Sequence, residues 1–279
     1  MAEFKDFVKV TEMPSIYQDI DKMTPREVLE CMNKEDHKIA DAIQLVIPQI
    51  EKFVIEATKR MKDGGRLFYI GSGSSGRFGI VDASEVPPTY GMPYDLIIAV
   101  IAGGDAAIRF PVEGAEDDWD QGWKDILKYN PTPKDCIVGI AASGTTPYTM
   151  GALTEARKIG MFTGCITANA GSPMTQIVDV DIAPYLGPEF ITASSRMKSG
   201  TSQKIILNMI TNGIMIGMGR VKGNKMVNMH ISNKKLVDRG TRMLIDYLGL
   251  PYEECKELLL KYGGVQKALD GYAEEQKNK

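Results

Sequence analysis

The sequence predicts an α/β protein built on a five-stranded parallel sheet with helices on both faces. Between residues 63 and 187, short apolar runs alternate with segments of helical periodicity, which is the pattern of a parallel sheet. The preceding segment has helical periodicity, and after Gly187 the pattern becomes entirely helical. We therefore expect N-terminal helices that pack on the sheet domain and a short C-terminal helical appendage.

The N-terminal segment begins its first helix at a capping box. Thr24-Pro25-Arg26-Glu27 places Thr at the N-cap, Pro at the first helical position and Glu three residues after the Thr. This helix runs toward Asn33, and a second helix is predicted from about Glu35 to Met61. Asp63-Gly64-Gly65 ends the second helix.

The sheet domain follows as alternating strands and helices. The predicted strands are Leu67–Ile70, Leu96–Ala102, Cys136–Ile140, Thr163–Thr167 and Val180–Pro184. The helices between them are predicted near Gly76–Ser84, Trp119–Lys128, Pro147–Ile159 and Pro173–Val178. Such alternation favours right-handed crossovers and one parallel sheet.

The C-terminal part is predicted to be helical throughout. The stretch from about Ser195 to Gly219 is so apolar that a helix there would pack on both sides, either in the core or against a second subunit. Three amphipathic helices follow, at Lys234–Leu248, Tyr252–Tyr262 and Gly264–Ala273. We expect three regions: N-terminal helices (1–62), the sheet domain (63–222) and the appendage (223–279).

The composition indicates a globular protein. The 279 residues are 43% apolar with a net charge of −3, and no apolar run approaches the roughly 18 residues of a membrane span. The first residues lack signal-peptide character, and Lys and Arg are scattered rather than clustered for nucleic acid. We expect a cytoplasmic protein that binds neither membrane nor nucleic acid.

The cysteines and histidines predict neither disulfides nor a metal site. These isolated residues are Cys31, Cys136, Cys165, Cys255, His37 and His230. None has the spacing of a ligand cluster. We expect no cofactor, and acid–base chemistry falls mainly to carboxylates.

Two turns rich in glycine and hydroxyl groups each follow an apolar run and lead into a helix. The first turn contributes Ser72, Ser74, Ser75 and Gly76, and the second contributes Ser143, Gly144, Thr145 and Thr146. A strand-to-helix turn directs free backbone N–H groups and the positive end of the helix dipole at one place. In the second turn Thr146 is placed as N-cap before Pro147 at the first helical position. We expect two cradles for a phosphate group, although such hydroxyls also cap turns without binding a ligand.

The first turn also fits the dinucleotide pattern G-x-G-x-x-G. That fingerprint needs an acidic residue about 20 residues on, and Asp105 lies later than that position. A dinucleotide site would also leave the second turn without a function, so the sequence does not favour a dinucleotide site. No Gly-Lys-Ser/Thr follows either turn, so a P-loop is excluded more firmly.

Several longer motifs, taken together, resemble one known family. They are Gly71-Ser72-Gly73-Ser74-Ser75-Gly76-Arg77, Asp82-Ala83-Ser84-Glu85-Val86-Pro87-Pro88-Thr89-Tyr90-Gly91, Ile101-Ala102-Gly103-Gly104, Val112-Glu113-Gly114-Ala115-Glu116-Asp117, Gly139-Ile140-Ala141-Ala142-Ser143-Gly144, Ser194-Ser195-Arg196-Met197-Lys198-Ser199-Gly200-Thr201 and Gln203-Lys204. This set resembles the N-acetylmuramic acid (MurNAc) 6-phosphate etherases of the sugar isomerase (SIS) domain superfamily, whose distant relatives include the glucokinase regulatory protein. The likeness runs from about Thr11 to about Arg239.

The resemblance implies a reaction and residues for it. Glu85 matches the family's acid–base glutamate, and Glu116 matches its second active-site glutamate. The implied reaction cleaves the lactyl ether of MurNAc 6-phosphate to give N-acetylglucosamine (GlcNAc) 6-phosphate and D-lactate, with water as the only co-substrate. The resemblance also implies a homodimer with sites near the subunit boundary, to which His230 or Lys234 of the segment after the apolar helix is a candidate contributor.

The chemistry of this reaction agrees with two carboxylates. Loss of lactate requires removal of the C2 proton and protonation of the departing oxygen, after which water adds to the unsaturated aldehyde. Two carboxylates in different environments can divide these proton transfers. A non-catalytic sugar-phosphate sensor and an aldose–ketose isomerase remain alternative functions, but a sensor needs no acid–base pair.

Overall fold

Two compact units make up residues 6–277, the part of the chain that the computed structural model describes. The first unit comprises residues 6–83 and 95–214, and the second comprises residues 84–94 and 215–277. The predicted boundaries after residues 62 and 222 divide the chain differently and stay predictions. Among the described residues, no helix combines the length and the apolar character that a membrane span requires.

The first unit begins with the predicted capping box. Helix α1 (Pro25–Asp36) starts where the Thr24 N–H donates to Glu27 Oε2 at 2.7 Å and the Glu27 N–H donates to Thr24 Oγ1 at 3.4 Å. The reciprocal bonds satisfy two N–H groups that the helix itself leaves free. The predicted helix start is confirmed.

The single helix predicted from Glu35 to Met61 is wrong. The structure has two helices there, α2 (Lys38–Gln44) and α3 (Ile47–Lys62). Pro48 lies in the first turn of α3, where its missing N–H is tolerated, but that missing donor also prevents a continuous helix across the junction.

The predicted five-stranded parallel sheet is confirmed. Its strands are β1 (Leu67–Gly71), β2 (Ile97–Ile101), β3 (Cys136–Ile140), β4 (Phe162–Ile166) and β5 (Val180–Ile182). The order is β2-β1-β3-β4-β5, and every neighbouring pair is parallel. All residues of β1 and β3 are buried, which explains their continuous apolar sequence. β5 ends before Pro184, which cannot donate to a sheet.

The remaining helices of the first unit differ in part from the prediction. They are α4 (Gly73–Tyr90), α5 (Ala106–Arg109), α6 (Gln121–Leu127), α7 (Pro147–Lys158) and α8 (Lys198–Gly217), of which α4 and α8 continue into the second unit. α4 starts before the predicted Gly76 and continues past the predicted Ser84 through Pro87 and Pro88, with Val86 and Tyr90 buried. Burial outweighs the helix-breaking tendency of proline here.

Two further predicted helices concern the end of the sheet domain. The helix predicted at Pro173–Val178 is a 3₁₀ turn at Pro173–Gln176. The predicted long apolar helix is confirmed as α8, with bounds a few residues inside those expected. The main core packs sheet residues such as Phe68, Ile98 and Ile137 with Leu153 of α7.

The second unit contains the predicted C-terminal helices. They are α9 (Lys234–Leu248), α10 (Tyr252–Tyr262) and α11 (Val265–Lys277), so the first two have the predicted bounds and the third extends past Ala273. Buried Leu244, Leu259 and Leu269, one from each helix, share one apolar core. This unit therefore has a core of its own.

Candidate functional site

The two hydroxyl-rich turns leave the same edge of the sheet from neighbouring strands. Gly71 at the end of β1 pairs with Ile140 at the end of β3. From β1 the chain continues to β2 on one side of the sheet, whereas β3 lies on the other side. In open parallel sheets, ligands bind in the crevice that forms at such a reversal of strand order. The sheet thus places both turns at its expected ligand site.

The first turn leads directly into α4. The Gly76 N–H donates to the Ser72 carbonyl at 3.0 Å, so Ser74 and Ser75 lie in the first helical turn. The first N–H groups of a helix have no partner within it, and the helix dipole makes this end positive. A Cβ at Gly76 would lie 2.8 Å from the Gly71 carbonyl oxygen, so only glycine permits this tight turn.

Glu116 connects the first turn to the start of α7. Ser72 Oγ donates to Glu116 Oε2 at 2.6 Å, and both residues line a cleft of about 220 Å³ together with Arg77 and Glu113. The Glu116 carbonyl accepts the Tyr148 N–H of α7 at 3.0 Å. Glu116 therefore contacts the first turn through its carboxylate, and it contacts α7, the helix that follows the second turn, through its backbone carbonyl.

The second turn bonds largely within itself. Thr145 donates to Ser143 Oγ through both its N–H, at 3.2 Å, and its hydroxyl, at 3.1 Å. Gly144 has a φ of +69°, and a Cβ there would lie 2.0 Å from Ser172 Oγ. Thr146 occupies the predicted N-cap position of α7, but its side chain makes no capping hydrogen bond. The N–H groups at the start of α7 are therefore not capped by this hydroxyl.

Two residues that the sequence analysis did not single out donate hydrogen bonds to the backbone of the second turn. Asn169 Nδ2 donates to the Ser143 carbonyl at 3.0 Å, and Thr167 Oγ1 donates to the Ala142 carbonyl at 3.0 Å. Both follow β4, at the same edge of the sheet. Polar residues at and just after the end of a predicted strand were the available sequence signal.

Gln203 of α8 is a third residue that was not among the candidate site residues. Its Oε1 accepts a hydrogen bond from Ser75 Oγ at 3.0 Å, and the side chain is almost fully buried. Nε2 of the same amide is buried without a hydrogen-bond partner among the described residues. The available signal was the Gln203-Lys204 motif of the family resemblance, to which no role was given.

Buried charges fix the beginning of α8. Lys198 Nζ lies 2.6 Å from Glu35 Oε2, and both side chains are 2% exposed. Burial by itself raises the pKa of Glu35, but hydrogen bonds from Lys198, Lys38 and Tyr17 outweigh burial and lower that pKa to about 2. The Glu189 carboxylate also accepts the Lys198 and Ser199 N–H groups at 2.9 Å each. These contacts hold in place the helix that carries Gln203.

Glu85 is the other glutamate to which the family resemblance gives a role. It belongs to the second unit, its side chain is exposed, and it is not among the residues that line the cleft at Ser72. It lies inside α4, which continues to Tyr90, past the Ser84 at which the sequence predicted the helix to end. Glu116 thus contacts the first turn through Ser72, and the role of Glu85 stays a prediction from the family resemblance.

Comparison with known proteins gives high similarity over nearly the whole chain. The chain is 59% identical to an N-acetylmuramic acid 6-phosphate etherase of Bacteroides fragilis over 95% of both chains. Identity to the protein of that name from Bacteroides thetaiotaomicron is 57% over 96% of both. The protein of that name from Porphyromonas gingivalis is 54% identical over 95% of this chain and 96% of the relative.

Family and structural comparisons agree on the fold. The sequence model of the glucokinase regulatory protein N-terminal SIS domain matches residues 49–157. A phosphoheptose isomerase from Neisseria gonorrhoeae superposes with a TM-score of 0.54 at 17% identity, covering 68% of this chain and 98% of that one. One from Francisella tularensis gives 0.55 at 16% identity, covering 70% and 100%. At such identities the solved structures show the SIS-type fold alone.

Proposed function

The chain belongs to the N-acetylmuramic acid 6-phosphate etherase family, and we propose that it cleaves the D-lactyl ether of MurNAc 6-phosphate. The products are GlcNAc 6-phosphate and D-lactate, which makes the enzyme a carbon–oxygen lyase. One observation in the structure supports this most directly. Glu116 places a carboxylate beside the first cradle while its backbone contacts the helix of the second.

The second turn is assigned to the phosphate group. Its backbone lies at the N-terminus of α7, and the Ser143, Thr145 and Thr146 hydroxyls stand beside that terminus. Backbone N–H groups and the helix dipole favour a dianion there without a metal ion. With the phosphate held at β3, the sugar extends toward the turn after β1, where Ser72 and Glu116 lie.

Two glutamates divide the proton transfers. In the elimination, the C2–H bond breaks, its electrons form the C2–C3 double bond, and the C3–O bond releases lactate, whose oxygen takes a proton. Water then adds its oxygen to C3, and C2 receives a proton. We assign these transfers to Glu116 and Glu85, and Ser72 orients the Glu116 carboxylate through its hydrogen bond.

Incubation with MurNAc 6-phosphate tests the activity. We expect D-lactate and GlcNAc 6-phosphate in equal amounts, and in H₂¹⁸O the label should enter the sugar at C3 rather than lactate. Conversion to a ketose without lactate release would instead establish an isomerase. Tight binding without turnover would establish a sensor, and either result would overturn the proposal.

The assembly and cellular location are further parts of the proposal. We propose a homodimer in the cytoplasm, as the family resemblance implies, and Met209 on apolar α8 is 39% exposed and available for a subunit contact. Two-fold pairing is the commonest closed arrangement of a self-complementary surface. Light scattering should give twice the mass of one chain. A monomer mass at micromolar concentration, with activity retained on dilution, would contradict the dimer.

A further inference from the structure

A second cleft with basic side chains lies wholly within the second unit. Its volume is about 150 Å³. Arg220, His230 and Lys267 line it, together with the amides of Asn228 and Gln266 and three glycines. No acidic side chain is among the described residues that line this cleft. In a chain with a net charge of −3, such a grouping is selective for an anion.

Arg220 is a half-buried basic residue among those that line the cleft. Its Nε is buried and has no hydrogen-bond partner among the described residues. A guanidinium N–H is a strong donor that is costly to leave unsatisfied, and its planar fork matches phosphate oxygens. Arg220 itself is held in place, because the Asn228 side chain donates to its carbonyl at 3.0 Å.

The walls of the cleft are fixed by backbone contacts. The His230 N–H donates to the Pro88 carbonyl at 3.1 Å, and the Gln266 N–H donates to the Val227 carbonyl at 3.0 Å. Gly91 has a φ of +63°, and a Cβ there would lie 2.2 Å from the Asn228 carbonyl oxygen. These contacts give the cleft a defined shape.

The first turn of α11 adds to the positive potential of the cleft. α11 begins at Val265, and Lys267 stands in its first turn. The nearest acidic residue along this helix, Asp270, accepts a hydrogen bond from the Gln266 side chain at 2.8 Å. Lys267 is exposed, so its ammonium group is accessible to an ion that enters from solvent.

We infer that this cleft binds a small phosphate dianion, either inorganic phosphate or the phosphate group of a phosphomonoester. Two charged side chains supply attraction, and the Arg220 fork supplies paired donors. None of its lining residues belongs to either hydroxyl-rich turn, and neither of the two glutamates assigned to the etherase reaction is among them. Its volume accommodates the anionic group rather than a whole sugar.

Titration of the ¹⁵N-labelled full chain with inorganic phosphate, at constant ionic strength, tests this inference. We expect saturable shifts of the Gly263, Gly264 and Lys267 amide signals. Arg220→Gln should weaken the affinity about tenfold or more, and Lys267→Gln up to about fivefold. Lys235→Gln, an equal charge change on an exposed residue outside the cleft, should leave the affinity unchanged.

Ser143→Ala separates this site from the etherase site, because it should leave the three amide shifts intact. In that background, GlcNAc 6-phosphate compared with inorganic phosphate distinguishes a phosphomonoester from the free ion as ligand. Absence of saturable shifts, or equal weakening by Lys267→Gln and Lys235→Gln, would overturn the inference. If Arg220→Gln does not fold, Lys267→Gln decides. D-lactate release is measured separately, so failure of the etherase proposal has its own readout.

Discussion

The turn after β1 and the turn after β3 have similar sequences, but their hydroxyl groups have different partners. In the first turn, Ser72 and Ser75 bond the side chains of Glu116 and Gln203, which lie far away in the sequence. In the second turn, Thr145 bonds Ser143 within the turn, and Asn169 donates a hydrogen bond to the Ser143 backbone carbonyl. The first turn therefore orients a carboxylate and an amide, whereas the second is fixed in shape.

This difference assigns the two turns different tasks. A turn that orients a carboxylate is suited to proton transfer, and a rigid turn at a helix N-terminus is suited to holding an anion. Changes at the first turn should lower kcat with little effect on KM, and changes at the second should chiefly raise KM. The following predictions test that division, beginning with the largest expected effect.

Glu35→Gln tests the support of the first turn through α8. It leaves Lys198 buried without its counter-charge and should lower the free energy of unfolding by about 3–5 kcal/mol. The lowered pKa of Glu35 means that wild-type stability is complete above the ordinary carboxyl pKa of 4.5 and is lost as pH falls toward about 2. The variant should lack that part of the acid sensitivity in denaturant unfolding at several pH values.

Glu30→Gln is the control for this effect, since Glu30 is an exposed residue of the same helix. It should change stability by no more than about 0.5 kcal/mol. Equal losses in the two variants would show that the buried pair does not stabilise this part of the molecule.

Glu116→Gln tests the carboxylate at the first turn. It should lower kcat by about 10² or more while the chain stays folded, because a general acid or base is lost. Glu113→Gln removes an equal charge from a side chain of the same cleft and should retain most of the activity. Near-wild-type D-lactate release by Glu116→Gln would remove Glu116 from the mechanism.

Glu85→Gln tests the glutamate that the structure places outside the first cleft. We expect a loss in kcat of about 10² or more here too, because the reaction needs a second proton-transfer group. Circular dichroism and light scattering of the variant control for folding and assembly. If turnover and stability both match those of the wild type, the second group must be sought elsewhere.

Ser143→Ala and Thr146→Ala test the second turn as the phosphate cradle. Each should weaken sugar-phosphate binding by about 1–3 kcal/mol, because a hydrogen bond to a charged group is lost. Thr154→Ala is a matched control, since its hydroxyl bonds the Met150 carbonyl within α7. Unphosphorylated MurNAc should bind every form poorly. Equal affinity for MurNAc with and without its phosphate would contradict this assignment.

Gln203→Leu should have the smallest effect. It removes the bond to Ser75 but keeps an apolar side chain of similar size, and we expect kcat to fall about fivefold, the equivalent of about 1 kcal/mol. KM should change little if α8 serves the first turn alone. A rise in KM with unchanged kcat would assign Gln203 to phosphate binding and break the division between the turns.

Much of the fold was predictable because local patterns determine it. Alternation of apolar runs with helical periodicity predicted all five strands, since central parallel strands are buried on both faces. The capping box at Thr24 and the Pro147 start of α7 depend on residues a few positions apart, and both were found where expected. The two turns were likewise visible as sequence, as was the family likeness that pointed to Glu116 and Glu85.

Other features depended on contacts between residues distant in the chain. Burial of Val86 and Tyr90 carries α4 through two prolines that local propensity would place in a break. Ser72 meets Glu116 across 44 residues, and Ser75 meets Gln203 across 128, because the strand order and the docking of α8 bring them together. The sequence by itself determined where strands, turns and caps form, since those follow from spacing over one or two helical turns. Which hydroxyl faces a carboxylate and which bonds its own turn was decided only by tertiary packing, because no local spacing records which strands become neighbours.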